Sequence, residues 1–271
     1  MPVPQVVAPR RPPAAVRVAV VFVGAVAIWS LLSGGVSAML GPDYSRAAHL
    51  VRAVGATVLT AALVVTARRV LDRAPLSGLR LTSLSAGWRP LLTGIGCWAL
   101  PAAIAATIVV AAGWAELTVT GSAGRLLTGL AALCVLVFLY EALPEELIFR
   151  GYCYANLADR YSAPWAAMWQ AALFTLWAVL IGAAPTIDRV VLLFGFGCAL
   201  GALRAVTANL WSTIGFHWSF QVTAQFLGPR WDGVALHDPH LAFGVAISLV
   251  PFATTLAAAV VARRRARRRA V

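Results

Sequence analysis

The sequence predicts an all-α membrane protein, a polytopic bundle of about eight transmembrane helices. Three observations predict it. Apolar residues make up 61% of the chain and charged residues only 12%, against roughly 25% charged in a soluble domain, and the mean hydropathy is +0.81. The apolar residues gather into eight blocks, each close to the ~20 residues that cross a bilayer core. The basic residues fall unevenly on the two sides that alternate crossing creates.

In chain order the blocks are Arg17–Leu40, Ala48–Ala67, Pro90–Trp114, Leu126–Phe149, Ala163–Ala184, Val190–Val206, Ala208–Gly228 and Leu241–Ala262. The second and sixth carry Arg52 and Arg204 near their ends, where a long basic side chain reaches the headgroups. Five prolines in the first 14 residues forbid a helix there, so residues 1–14 read as a disordered tail. Residues 15–262 form one transmembrane domain, and 263–271 an arginine-rich tail. The longest polar stretch, Arg68–Arg89, is a connector with turn signals at Pro75 and Gly78.

All 22 basic residues are arginine. With the N-terminus in the cytoplasm and alternating blocks, seventeen arginines fall inside and five (Arg46, Arg52, Arg125, Arg189, Arg230) outside. This split predicts a multi-pass protein of the cell membrane with both termini cytoplasmic. The same placement argues against a nucleic-acid partner despite a net charge of +12, because the charge sits at the ends of apolar blocks. The Arg-rich C-terminus reads as an anchor to anionic membrane lipid. Four cysteines in or beside apolar stretches (Cys97, Cys134, Cys153, Cys198) make no disulfide framework.

Ionisable groups inside a membrane span are costly, so they are the first place to look for chemistry. The fourth block ends in Tyr140-Glu141-Ala142-Leu143-Pro144-Glu145-Glu146-Leu147-Ile148-Phe149-Arg150. Glu146 and Arg150, four apart, share a helix face and can pair. Glu145, about 100° round the helix, stays free to face a cavity as a general base just below the cytoplasmic interface. Pro144 cannot donate to the Tyr140 carbonyl, which predicts a kink. The plain alternative is a charged helix end at the interface, but an interface needs one such residue, not this cluster. The seventh block carries His217 and Gln221, also four apart, about 13 Å in. The alternative there is a core histidine satisfied by a neighbouring helix. Weaker candidates are His237-Asp238-x-His240 as a metal site and Cys153 as a nucleophile; loop and packing roles suit them better.

The run Glu145-Glu146-Leu147-Ile148-Phe149-Arg150 resembles the first motif, Glu-Glu-x-x-x-Arg, of the CPBP intramembrane peptidases. That family includes the type II CAAX prenyl endopeptidases and the Abi proteins. The resemblance covers roughly 126–228 and implies an intramembrane endopeptidase acting on a membrane-associated peptide or lipidated protein. It implies Glu145 as the catalytic glutamate, Glu146 and Arg150 as its supporting pair, and His217 in the third motif with Gln221 at the position of Asn. The second motif, Phe-x-x-x-His, keeps Phe174 but has Ala178 in place of histidine. A zinc site would therefore retain only Glu145 and His217, so zinc is doubtful, no cofactor is certain, and a metal-free water activation is expected. His217 and Gln221 would serve as donors to the oxyanion. The rival readings are a non-catalytic member, a scaffold or bacteriocin-immunity-type binding protein, and a small transporter.

Overall fold

The computed structural model describes residues 11–228, 230–231, 233–237 and 242–269. The tail at 1–10 and two of the three residues of the His237-Asp238-x-His240 candidate lie outside the described residues. The architecture is an all-α polytopic bundle. Its helices are α1 (Ala14–Leu40), α2 (Arg46–Val70), α3 (Leu84–Ala111), α4 (Ala123–Ala158), α5 (Ala163–Leu180), α6 (Ile187–Thr207), α7 (Leu210–Phe226) and α8 (Val250–Arg269), the last continuing from wide helical turns over Ala242–Leu249. Among the described residues seven helices are long and apolar enough to cross a membrane; the eighth expected span is α7, at 17 residues. Large apolar side chains such as Val23, Leu31, Leu100 and Ile104 are exposed, as lipid-facing surfaces require.

Local chemistry sets the helix starts. The Ser45 hydroxyl accepts from the Ala48 N–H at 3.1 Å, and the Asn209 side chain accepts from the Trp211 N–H at 2.9 Å, which satisfies donors that a helix N-terminus leaves free. Ala208, at φ 50°, turns the chain between α6 and α7. The Leu210 N–H then donates to the Arg80 carbonyl and the Trp211 indole N–H to that of Thr82, at 3.0 and 2.9 Å. The start of α7 is thus tied to the connector before α3.

Two glycines let α3 and α7 cross closely. A Cβ on Gly94 would collide with the Ser212 carbonyl, and one on Gly215 with that of Leu91. This crossing fixes the depth and rotation of α7, and therefore of His217. The other main pairings are α1 with α2, α5 with α6, and α8 with α3 and α6. A short antiparallel ribbon, β1 (Glu116–Val119) on β2 (Val234–His237), joins two loops at one end. The apolar-block pattern carried no sign of it, because both strands are shorter than any span.

The main departure from expectation is α4. The fourth block was expected to stop at Phe149 with Arg150 at the interface. Instead the helix continues to Ala158, and Arg150, Tyr152, Cys153 and Asn156 are fully buried. The arginine does not end the span, because a carboxylate in the interior meets it. The Glu cluster therefore lies well inside a 36-residue helix. Glu145 is thirteen residues, or about 20 Å, from its Ala158 end.

Pro144 is accommodated by widening the helix. Phe138–Ala142 and Leu147–Cys153 are wide-turn segments flanking Leu143–Glu146, and the Leu143 N–H reaches back five residues to Phe138. In that register Pro144 would serve the Leu139 carbonyl. The Thr57 hydroxyl of α2 donates to that oxygen instead. Inserted wide turns of this kind are frequent at functional sites.

Asp72, the single acidic residue among the five arginines of Arg68–Arg89, is fully buried. It pairs with Arg17 of α1 and Arg68 of α2, each at 2.8 Å, and accepts from the Tyr152 hydroxyl at 3.1 Å and the Asn156 amide at 3.4 Å. Burial opposes its charge, but these four donors outweigh burial and hold its carboxyl below the usual range. The ends of α1 and α2 are thereby pinned to the second half of α4.

Candidate active site

The candidate residues come from two helices. Glu145, Glu146 and Arg150 project from the tight and wide turns of α4, and His217 and Gln221 from α7. Glu146 Oε1 accepts from Arg150 Nη1 at 2.9 Å and lies 2.8 Å from His217 Nδ1. His217 Nε2 is 3.7 Å from Glu145 Oε2. Glu146, Arg150 and His217 are 0% exposed, whereas Glu145 keeps 5%. The pairing expected of Glu146 and Arg150 is present. Glu145, expected to face a cavity, is brought beside the imidazole.

Aromatic rings enclose the group. The Arg150 guanidinium lies over Phe174 at 4.6 Å and over Phe196 at 5.9 Å. Phe196 meets the His217 ring edge to face at 4.9 Å. Cation–π contact and low polarity raise the worth of each remaining electrostatic contact. Phe174, from the Phe-x-x-x-Ala stretch of α5, thus covers the arginine, while Ala178 one turn on is buried apolar packing at 1% exposure.

The hydrogen bond to Glu146 decides what the imidazole can do. In a neutral ring Nδ1 carries the proton it donates to Glu146, which leaves a lone pair on Nε2 facing Glu145. Nε2 then accepts; it donates only from a doubly protonated ring. Both this nitrogen and Glu146 Oε2, together with Arg150 Nε and Nη2, are buried without a hydrogen-bond partner. Unsatisfied polar atoms this close together in a buried cluster call for a specific explanation, of which a catalytic role is one.

Gln221 does not join this group. Its amide donates to Glu141 Oε2 at 2.9 Å, and the Gln225 amide donates to both oxygens of Glu141 at 2.8 and 2.9 Å. Gln225 was missed by the sequence reading. Its signal was present: His217, Gln221 and Gln225 recur every four residues along α7. The three amide contacts hold Glu141 one helical turn from Glu145, at the side of a cavity of about 490 Å³ that both glutamines also line. Arg52, Arg189 and Arg230 line the same cavity, which opens at the end of the bundle bearing the 41–45 loop. On the side of Glu145 expected to be cytoplasmic, the continuation of α4 and the start of α7 cover the site.

A metal does not fit these residues. Glu145 and His217 offer two ligands, Glu146 Oε1 is committed to Arg150 and His217, and Ala178 offers none. Among the described residues no group of three or more His, Cys, Asp or Glu side chains is arranged to hold a metal ion, whereas a catalytic zinc takes three protein ligands. Cys153 is fully buried, in keeping with a packing role.

Residues 127–223, which span the helices from α4 to α7, match the family described as Rce1-like, "Type II CAAX prenyl endopeptidase Rce1-like". None of the curated proteins matches the chain.

Proposed function

Because residues 127–223 match the Rce1-like family of type II CAAX prenyl endopeptidases, we propose that the protein is an intramembrane endopeptidase. It hydrolyses a peptide bond in a membrane-associated or lipidated protein. The observation that carries this reading is the meeting of Glu145 with His217, 3.7 Å apart on two helices, with Glu146 and Arg150 fixing the imidazole from behind.

The chemistry follows from the hydrogen-bond pattern. A water held between Glu145 Oε2 and the His217 Nε2 lone pair gives one proton to Glu145. Its oxygen bonds to the scissile carbonyl carbon, and the carbonyl electron pair moves to oxygen. Collapse of that intermediate breaks the C–N bond as Glu145 passes its proton to the leaving nitrogen. The products are a carboxylic acid and an amine. Glu146 orients the ring and Arg150 balances its charge. With Ala178 and with Gln221 bound to Glu141, few donors support the oxyanion. The enzyme is therefore slow, since one such donor is worth about 10²–10³ in rate.

Substrate reaches Glu145 along the Glu141 cavity, past Arg52, Arg189 and Arg230. With both termini cytoplasmic, as the arginine count predicts, this mouth faces the outside of a cell membrane. The membrane lipids form the surroundings of the substrate, and nucleic acid plays no part.

The test compares membrane peptides from cells carrying the wild type and Glu145→Gln at equal protein level. Removal of a general base lowers the rate by about 10²–10⁴, so certain cleavage products are expected only with the wild type. Undiminished cleavage by a well-expressed Glu145→Gln protein refutes the assignment. The buried Ala178 favours one second reading, a non-catalytic binding protein using the same cavity; a wild-type peptide set that matches that of cells lacking the protein selects it.

A further inference from the structure

A second cavity, of about 610 Å³, lies at the opposite end of the bundle from the Glu141 mouth. It is built from the 74–80 connector, the end of α4 and the end of α6. Five arginines line it: Arg11, Arg17, Arg68, Arg80 and Arg204. Against them stand Asp159, also in the lining, and the buried Asp72, which is shared by Arg17 and Arg68. Three positive charges are left uncompensated. Among the described residues neither Arg80 nor Arg204 forms an ion pair.

Arg204 is held in place. It is 5% exposed, its Nε donates to the Arg150 carbonyl at 3.1 Å, and its guanidinium lies over the Tyr154 ring at 5.2 Å. A fixed, nearly buried guanidinium with its outer nitrogens uncommitted, beside a second unpaired arginine, is the donor arrangement that recognises a phosphate. Directly alongside runs an apolar groove of about 220 Å³ between α5, α6 and α8, lined by residues such as Ala167, Met168, Leu256 and Val260. Ala205 lines both the groove and the arginine cavity. A basic pocket with an apolar groove directly beside it, Ala205 lining both, has the amphipathic shape of one phospholipid molecule.

We propose that the Arg80–Arg204 cavity binds the phosphate of an anionic phospholipid, with one acyl chain lying in the groove past Ala205. The groove distinguishes this ligand from free phosphate, and the charge distinguishes it from a zwitterionic lipid.

The test measures lipid binding by native mass spectrometry, and the accompanying rise in Tm, for the purified full-length chain in neutral detergent. The added probes are phosphatidylglycerol, phosphatidylcholine and inorganic phosphate. Arg80 sits at φ 63°, so Arg80→Asn removes the charge while keeping a residue that tolerates this conformation. Ala205→Phe narrows the groove, and Arg160→Asn removes a charge from the same end but outside the cavity. Phosphatidylglycerol is expected to bind and raise the Tm, with phosphatidylcholine and phosphate giving neither effect. Arg80→Asn should weaken that binding about fivefold, Ala205→Phe should weaken it too, and Arg160→Asn should leave it unchanged. Equal binding of both lipids, a Tm rise with inorganic phosphate alone, or equal losses in Arg80→Asn and Arg160→Asn would overturn the proposal.

Discussion

The Glu146–Arg150 pair offers the sharpest test of how the site is held together. Both side chains are 0% exposed and lie 2.9 Å apart. In Arg150→Met the chain keeps a long apolar side chain beneath Phe174 and Phe196, but Glu146 loses its one full counter-charge. Breaking a buried pair from one side costs about 3–5 kcal/mol, a large fraction of the 5–15 kcal/mol that stabilises a folded domain. Glu146→Gln removes the charge yet keeps an oxygen that accepts from His217 Nδ1. The double variant buries neither charge, so it should recover much of the loss, leaving a coupling energy of about 2–3 kcal/mol. Unfolding by denaturing detergent, followed for the wild type, both single variants and the double in one lipid–detergent mixture, gives the four free energies. Additive losses, or an Arg150→Met protein within about 1 kcal/mol of the wild type, would refute the view that Arg150 exists to hold a buried carboxylate.

Further outcomes follow from other parts of the fold. Asp72 has its carboxyl held low, so its contribution is complete above the ordinary aspartate range near pH 4 and is lost as pH falls through the lower folded value; a wild-type Tm that drops more steeply than that of Asp72→Asn between pH 6 and pH 3 checks this, and parallel curves refute it. Ala178→His should raise cleavage of a model membrane peptide by adding an oxyanion donor, at an overpacking cost of about 1–3 kcal/mol; a variant that keeps its Tm but cleaves no faster shows that the site has been rebuilt around Ala178. Reporters fused after Arg89, Arg160 and Arg269 should read cytoplasmic and those after Arg46 and Arg125 external; a reversed pattern would turn the Glu141 mouth toward the cytoplasm.

The spans were legible because burying apolar surface and satisfying backbone groups in lipid leave few solutions, and each leaves a run of apolar residues. The Glu146–Arg150 pairing was legible because helical spacing alone brings i and i+4 together. What stayed hidden depended on partners distant in sequence. Arg150 looked like an interfacial stop until Glu146, His217 and two phenylalanines were seen to enclose it. Asp72 looked like one more polar residue in a connector, since nothing local revealed that Arg17, 55 residues earlier, and Asn156, 84 later, converge on it. The tautomer of His217 was equally out of reach, because it depends on which nitrogen faces which carboxylate.

The arginines connect these parts, and they do so differently at the two ends of the bundle. At the crowded end, Arg17 and Arg68 are spent on Asp72, which braces the half of α4 beyond the candidate site, while Arg80 and Arg204 stay unpaired around a cavity. At the sparse end, three of the five arginines assigned outside, Arg52, Arg189 and Arg230, line the single cavity that reaches Glu141 among the pockets described. A topology rule asks only for a difference in number between the ends; it does not ask the few arginines of the poorer end to gather at one opening. Their convergence places positive charge around the opening beside Glu141, and if substrate enters there as proposed, it favours a segment bearing carboxylates. Peptides with acidic residues flanking the scissile bond should therefore be cleaved faster than neutral ones of the same length, and raising the ionic strength should narrow that difference. A preference that is absent, or that survives high salt unchanged, would show that these arginines serve the fold and not the substrate.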